Sequence, residues 1–279
     1  SLPPAGARSA LRAAGRALML FNAIVLAADR GRDDPVAAAA GVAAKCLTRI
    51  GGSPMVVRVV HALEQSARVN TILLCGPPAE ALQGSPELSR MVSGDGVGWM
   101  PPEATPATSA AVALATLPED EPVLLTTGDH ALLSPDMVRH FLDQASALGG
   151  DVAVALAPHE LVQRTYPRTR RTVLKFSDGH YCGCNLFAFL SPRGRRMAQV
   201  WKQVEADRKN PIRVIGLVGW GAMALYALRL LSLGGAVRRI SRQAGVAAGV
   251  VTMPFAEAAI DVDTVADLDL VRAIVARTA

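Results

Sequence analysis

Short apolar runs alternate with amphipathic stretches along most of this chain, and the alternation predicts strands and helices in turn. Residues 23–28 and 69–75 read as buried strands, the second stopped by Gly76-Pro77-Pro78. Between them, residues 54–65 carry Met55, Val56, Val59, Val60 and Leu63 at helical spacing behind a Ser53-Pro54 start. A second helix is predicted over 104–117, with Thr105, Thr108 and Ser109 in its first turns. Residues 122–130 form a further strand with a polar tip, and Ser134-Pro135 opens a helix holding Met137, Val138, Phe141 and Leu142. Residues 151–157 read as another strand. Residues 175–189 read as a hairpin turning at Ser177-Asp178-Gly179, its second strand holding Gly183 and Asn185. Residues 258–262 are expected to form a short final strand. A turn at Asp263-Thr264 and a terminal helix over 265–275 follow, Thr264 being its N-cap with Asp267 three residues on. Such alternation argues for right-handed βαβ units and a mainly parallel sheet, an α/β fold.

Two stretches stand outside the alternation. The first 28 residues carry Arg8, Arg12 and Arg16 without an acid and then turn apolar, which imitates a signal peptide. Cleavage after Ala28 would discard a core strand, so residues 1–20 are read as an extension and 21–279 as one domain. Within it, 211–237 is a hydrophobic insertion (about 205–245 with its flanks), bracketed by Arg213 and Arg229 around an uncharged run at 214–228. That run is short of the ~20 residues a bilayer span needs. It reads either as buried or homodimer-forming helices, or as a lid meeting a lipid-like acceptor or the membrane periphery beside Arg238, Arg239 and Arg242.

Composition narrows the class. With 51% hydrophobic but only 4% aromatic residues, the core is built from Ala, Val and Leu, as in helix-covered parallel sheets. A net charge of +5 suits an anionic ligand, but it is spread out and lacks stacking aromatics, which argues against nucleic acid. Cys46, Cys75, Cys182 and Cys184 show no disulfide framework and point to a reducing, cytoplasmic setting. Cys182-x-Cys184 lacks partners at finger spacing for zinc.

The chemistry gathers at strand ends. The strand at 23–28 empties into a loop with Arg30, Gly31 and Arg32, and Lys45 stands where the next regular element begins. Such a loop presents backbone N–H groups and cations to phosphates. It is neither a Walker A loop nor the G-x-G-x-x-G dinucleotide turn, which removes a dinucleotide-dependent oxidoreductase from the leading readings. Asp129 in TTGDH lies where α/β sheets bind ligands, beyond the carboxyl end of a strand, and suits a hard divalent cation as well as a turn. Asp261 and Asp263 alternate, so one of them at most faces Asp129 without a bend. Arg164, Arg168, Arg170 and Arg171 either grip an anionic acceptor or form a solvated loop.

In their order, LAADRG with Lys45, TTGDH and VDTVADL resemble the signature loop, the Gly-Asp strand end and the closing V-D-T-P-E-D-L of the MobA-like nucleotidyltransferases. The resemblance implies a three-layer αβα, Rossmann-like (GT-A-like) fold. It implies a reaction in which a phosphorylated or alcohol acceptor takes NMP from an NTP, CTP or GTP favoured, and releases pyrophosphate. By the same resemblance Lys45, Arg30 and Arg32 are catalytic, and Mg²⁺ is held by Asp129 and Asp263. The nucleotide would lie against Leu26, Ala27, Ala28, Gly31, Gly76, Pro77, Thr105, Thr108, Ser109 and Gly128, and the acceptor against Asn185 and Gly183. The chain departs from the pattern at Asp29, which replaces the loop's first glycine and adds negative charge beside the triphosphate. The alternative is therefore a catalytically degenerate nucleotide-binding or membrane-associated sensor.

Overall fold

The computed structural model describes residues 19–29, 34–206 and 225–278. Its strands are β1 (Phe21–Leu26), β2 (Arg49–Ile50), β3 (Ser53–Pro54), β4 (Val69–Cys75) and β5 (Val97–Met100). Then follow β6 (Val123–Thr127), β7 (Val152–Pro158), β8 (Val173–Phe176), β9 (Gly179–Phe189) and β10 (Ala248–Thr252). β2 and β3 pair only with each other; the rest form one sheet in the order β10-β7-β9-β6-β1-β4-β5, with β8 hydrogen-bonded to β9. Neighbours are parallel except where β9 intervenes antiparallel to β6, β7 and β8. The sheet is thus mainly parallel, with helices against both faces.

Helices α1 (Pro35–Ala40), α2 (Met55–Gln65), α3 (Ala79–Gln83), α4 (Pro86–Val92) and α5 (Pro106–Thr116) lie between the first six strands. They are followed by α6 (Pro135–Leu148), α7 (His159–Thr165), α8 (Arg196–Ala206), α9 (Leu233–Ala244) and α10 (Val265–Thr278). Strand β1 shows the layering. Ala23 and Val25 pack into a core with the apolar stripes of α2 and α6, while Ile24 packs with Ala110 and Ala113 of α5 and Ala198 of α8. A strand covered on both faces has no polar side, which is why FNAIVL reads as a nearly continuous apolar run. Each fully buried Leu or Phe in these layers contributes about 1.5–3 kcal/mol.

Local signals set the helix ends. Ser134 accepts the Met137 N–H at the start of α6, Pro135 occupies its first turn, and Gly149 closes it in the left-handed region at φ 64°. Thr105 caps α5 in the same way, so the helix predicted over 104–117 is Pro106–Thr116. The alanine-rich stretch before Lys45 is itself the short helix α1, capped by the Asp34 side chain and ended by Gly41.

One expectation needs correction. Residues 258–262 do not form a strand: Ala256–Ala259 is a 3₁₀ turn whose amides bond locally, and Val262 N donates to Asp129 O at 3.1 Å rather than joining a ladder. The last strand is β10, parallel to β7, and it already covers that edge of the sheet. Of the insertion, residues 207–224 lie outside the described residues, as do 1–18; the described part includes α9. No helix among the described residues is long and apolar enough to cross a membrane.

Candidate functional site

Register fixes where the strands end. Leu26 pairs with Cys75 on one side and Thr127 on the other, and Cys75 pairs with Met100. β1, β4, β5 and β6 therefore stop along one rim. Ala27 N donates to Cys75 O and Gly128 N to Leu26 O, both at 2.8 Å, closing the rim. Two glycines let the chain pass so closely. A Cβ on Gly128 would lie 3.0 Å from the Ala27 Cβ, and one on Gly76, at φ +86°, would lie 3.0 Å from the Ala28 nitrogen. Leu26, Ala27, Ala28, Gly76 and Gly128 thus come together around the start of the loop. Pro77 follows, its carbonyl accepting Trp99 Nε1–H at 3.1 Å.

Lys45 opens a 3₁₀ turn after α1. Its backbone N–H is held by both carboxylate oxygens of Asp29, at 3.1 and 3.0 Å, which pins the two ends of the intervening loop. Arg30, Gly31 and Arg32 lie in that loop, outside the described residues. The Lys45 ammonium reaches Asp129 Oδ2 at 2.6 Å and Asp263 Oδ1 at 3.3 Å. Burial opposes the charge on Lys45, but Asp129 and then Asp263 outweigh it and raise its pKa. Burial works against the Asp129 carboxylate too, and the ammonium reverses the balance, holding that pKa below its ordinary value. Asp29 is pushed up, by burial first and then by Asp34 and Asp129 against the Lys45 N–H.

Asp261 and Asp263 diverge, as alternation along an extended segment requires. Asp263 turns to Lys45 and is half exposed. Asp261 turns instead to Arg171 and accepts from Asn185 Nδ2 at 2.7 Å. Arg171 bridges Asp261 to Asp267 and also donates to Thr169 Oγ1 at 3.1 Å. Asp267 in turn accepts the Thr264 N–H at 2.9 Å while Thr264 Oγ1 accepts the Asp267 N–H at 3.2 Å, an acidic capping box at the start of α10. Arg171 thereby ties the segment carrying Asp263 to a helix N-terminus. Within the basic run, Arg164, Arg168 and Arg170 are exposed and Arg171 is not.

Burial, with Asp129 and Asp263 nearby, raises Asp261 to about 6 despite Arg171. The rim therefore holds an excess of carboxylate. Asn185 sits in the left-handed region at φ 49°, which Asn tolerates better than most residues. Gly183, two residues back on the same strand, has open space where a Cβ would stand. His130 is fully buried, and burial lowers it to about 4, so the ring is neutral. Thr105 Oγ1 and Ser109 Oγ are engaged locally, accepting the N–H groups of Thr108 and Glu103, and Thr108 Oγ1 lies 3.0 Å from Thr105 Oγ1.

The donor chemistry fits a hard cation. Asp129 and Asp263 offer carboxylate oxygens to one point, where an ammonium now stands, and Asp129 Oδ1 is buried with no hydrogen-bond partner among the described residues. No cluster of three or more His, Cys, Asp or Glu side chains poised for a metal exists among the described residues. Two carboxylates suffice for Mg²⁺ when phosphates complete its shell. The Arg171–Asp261–Asp267 network escaped the sequence reading. Its one local signal, Thr264 with Asp267, marked a helix start and not the arginine that reaches it.

The family model for the MobA-like NTP transferase domain matches residues 23–246. No curated protein matches the sequence significantly. Among solved structures, a hypothetical transferase from Thermus thermophilus is 29% identical with a TM-score of 0.73, covering 90% of this chain and 100% of that one. A 4-diphosphocytidyl-2C-methyl-D-erythritol synthase from Anaerococcus prevotii is 11% identical with a TM-score of 0.55, covering 93% and 97%. A CMP:2-keto-3-deoxy-manno-octonic acid synthetase complexed with CTP is 16% identical at the same TM-score, covering 93% and 100%. The last two share the fold.

Proposed function

The chain belongs to the MobA-like NTP transferase family, a family of nucleotidyltransferases, and from that premise we propose that it transfers NMP from an NTP to a phosphorylated or alcohol acceptor. The observation that carries this reading is Lys45 between Asp129 and Asp263 on the carboxyl rim of the sheet. CTP or GTP is the favoured donor; the fold is shared with a CTP-bound synthetase and a diphosphocytidyl synthase. Four free, buried cysteines accord with a reducing cytoplasmic setting.

An acceptor oxygen attacks the α-phosphorus in line, the bond to the bridging oxygen breaks, and pyrophosphate leaves with that oxygen. A phosphate acceptor needs no general base, which accords with the neutral, enclosed His130. An alcohol acceptor releases its proton to solvent or to the phosphates. Asp129 and Asp263 would hold Mg²⁺, which when bound neutralises phosphate charge and orients the reacting groups. Lys45, released from the carboxylates, supplies a mobile cation to the charge that develops on the phosphates. Arg30, Arg32 and Gly31 would complete the phosphate loop. Leu26, Ala27, Ala28, Gly76, Pro77, Gly128 and the start of α5, with Thr105, Thr108 and Ser109, would surround the nucleotide. Gly183, with open space above it, and Asn185 would meet the acceptor.

The test is thermal unfolding with CTP, GTP, ATP and UTP, each with and without Mg²⁺, followed by pyrophosphate release. A nucleotide at a hundred times its Kd stabilises by about 2.7 kcal/mol. A Mg²⁺-dependent shift with one nucleotide supports the reading; no shift with any of the four overturns it. A second reading, nucleotide binding without turnover, is favoured by Asp29, whose carboxylate occupies the loop beside Lys45. It predicts the shift but no pyrophosphate with any acceptor.

A further inference from the structure

The turn that leads into α9 holds apolar side chains in water by construction. Its backbone is closed by Arg229 N donating to Tyr226 O at 2.9 Å and Leu230 N to Leu225 O at 2.8 Å. Arg229 is forced to φ 57°, a left-handed conformation that a long side chain adopts only under constraint. Leu228 and Leu230, on either side, are 67% and 64% exposed. The turn is fastened to the β8–β9 hairpin at several points. Lys175 N donates to the Tyr226 hydroxyl at 3.2 Å, Ser177 N to Leu231 O at 3.0 Å, and the Tyr226 ring meets Phe176 edge-on. Leu-Arg-Leu is thus a braced projection and not a frayed end.

Its place in the fold matters. β7 ends with Pro158 opposite Tyr181 of β9, so the hairpin tip at Gly179 extends past the carboxyl end of β7. β6 runs parallel to β7, both being antiparallel to β9, and the projection therefore sits on the rim side of the sheet that carries Asp129. The chain that builds it carries charge of one sign. From residue 225 to 256 the sequence has four arginines, Arg229, Arg238, Arg239 and Arg242, and no Asp or Glu. α9 lies against β10, and Arg238 and Arg242, one turn apart, are both exposed. Asp178, the acid at the hairpin tip, is committed to the Leu233 N–H at 2.9 Å.

We infer that the Leu228–Leu230 turn and the arginines of α9 form a docking surface for an anionic phospholipid bilayer, with the leucines entering the interface and Arg229, Arg238 and Arg242 meeting headgroup phosphates. Paired apolar and cationic side chains on a projection suit a deformable, negatively charged plane. Docking deepens the transferase reading, since it sets the rim at the surface where a lipid-anchored acceptor is presented. It is read without nucleotide, so its failure and that reading's failure are separate results.

The test is flotation of the full chain with phosphatidylcholine vesicles, with and without phosphatidylglycerol. Binding to the anionic vesicles alone, weakened by salt, is expected. Arg238→Gln and Arg242→Gln should each weaken it about fivefold, and Leu228→Ser with Leu230→Ser should abolish co-flotation while thermal unfolding stays unchanged. No binding, equal binding to neutral vesicles, or leucine variants that float like the parent would overturn the inference. So would a dimer in size-exclusion chromatography that the leucine variant converts to monomer, for the surface would then belong to a second copy.

Discussion

Lys45 and Asp129, 84 positions apart in sequence, meet at 2.6 Å with their side chains only 14% and 16% exposed. An ammonium thus stands where the donor set fits a divalent cation, and the two compete for the same oxygens. Replacing Lys45 with Met removes the competitor and leaves Asp129 buried without a counter-charge. The variant should lose about 3 kcal/mol of stability in metal-free buffer. Added Mg²⁺ should restore more stability to it than to the parent chain, while pyrophosphate release stays abolished. Equal Mg²⁺ responses in differential scanning calorimetry would show that the two cations do not share a site.

The carboxylates on the rim titrate in opposite senses. Asp129 is depressed, so its stabilisation is present above the ordinary carboxylate pKa and is lost as pH falls through its lower folded value. Lys45 is raised, so its contribution holds below the ordinary lysine pKa and fades only as pH rises through the higher folded value. Asp261, raised to about 6, does the reverse of Asp129. The folded chain binds its proton more tightly, so this group's contribution declines as pH climbs from about 4 to 6 and stays low above that. Asp261→Asn imitates the protonated form. Relative to the parent, it should be more stable near about pH 8 than near about pH 4, by roughly 2 kcal/mol. Urea unfolding at the two values measures this, and a pH-independent difference would place the Asp261 pKa elsewhere.

Gly128 offers a steric test of the rim. A Cβ there would press on the Ala27 Cβ at 3.0 Å and Cα at 3.3 Å, neither of which can rotate aside. Gly128→Ala should cost about 1–3 kcal/mol. It should also part β1 from β6 where Ala27 and Asp129 leave the sheet, raising KM for the nucleotide. Unchanged stability and KM would mean that the strand ends yield freely.

Much of this architecture was legible because its signals are local. Ser134-Pro135 and Thr264 with Asp267 mark helix starts by chemistry within four residues, and the strands read at 23–28 and 69–75 fall on β1 and β4, β4 keeping Asn70 and Thr71 exposed. What stayed hidden depends on distant partners. AGVVT becomes β10 only because β7, nearly a hundred residues earlier, leaves an edge for it. The AAIDV stretch has strand-like residues, but its amides donate to the nearby carbonyls of Phe255 and Glu257 and to that of Asp129 in place of a ladder. Arg171 looked like its neighbours in a basic run until folding brought Asp261 and Asp267 to it across 90 and 96 positions.

Asp29 is where the chain departs from the family loop, and its contacts say what the departure does. Its carboxylate holds the Lys45 N–H with both oxygens, so it organises the loop, yet it also sets negative charge where a triphosphate would lie. Asp29→Gly separates the two effects. Losing the hydrogen bonds should cost about 1–2 kcal/mol of stability in the nucleotide-free chain. Removing a like charge beside the phosphates should tighten NTP binding, an effect larger at low salt because screening weakens it. Isothermal titration with the preferred nucleotide at two ionic strengths checks both the direction and the salt dependence. Weaker binding in the glycine variant would mean that ordering the Lys45 loop outweighs the repulsion, and that Asp29 is an adaptation of the site and not the residue that disables it.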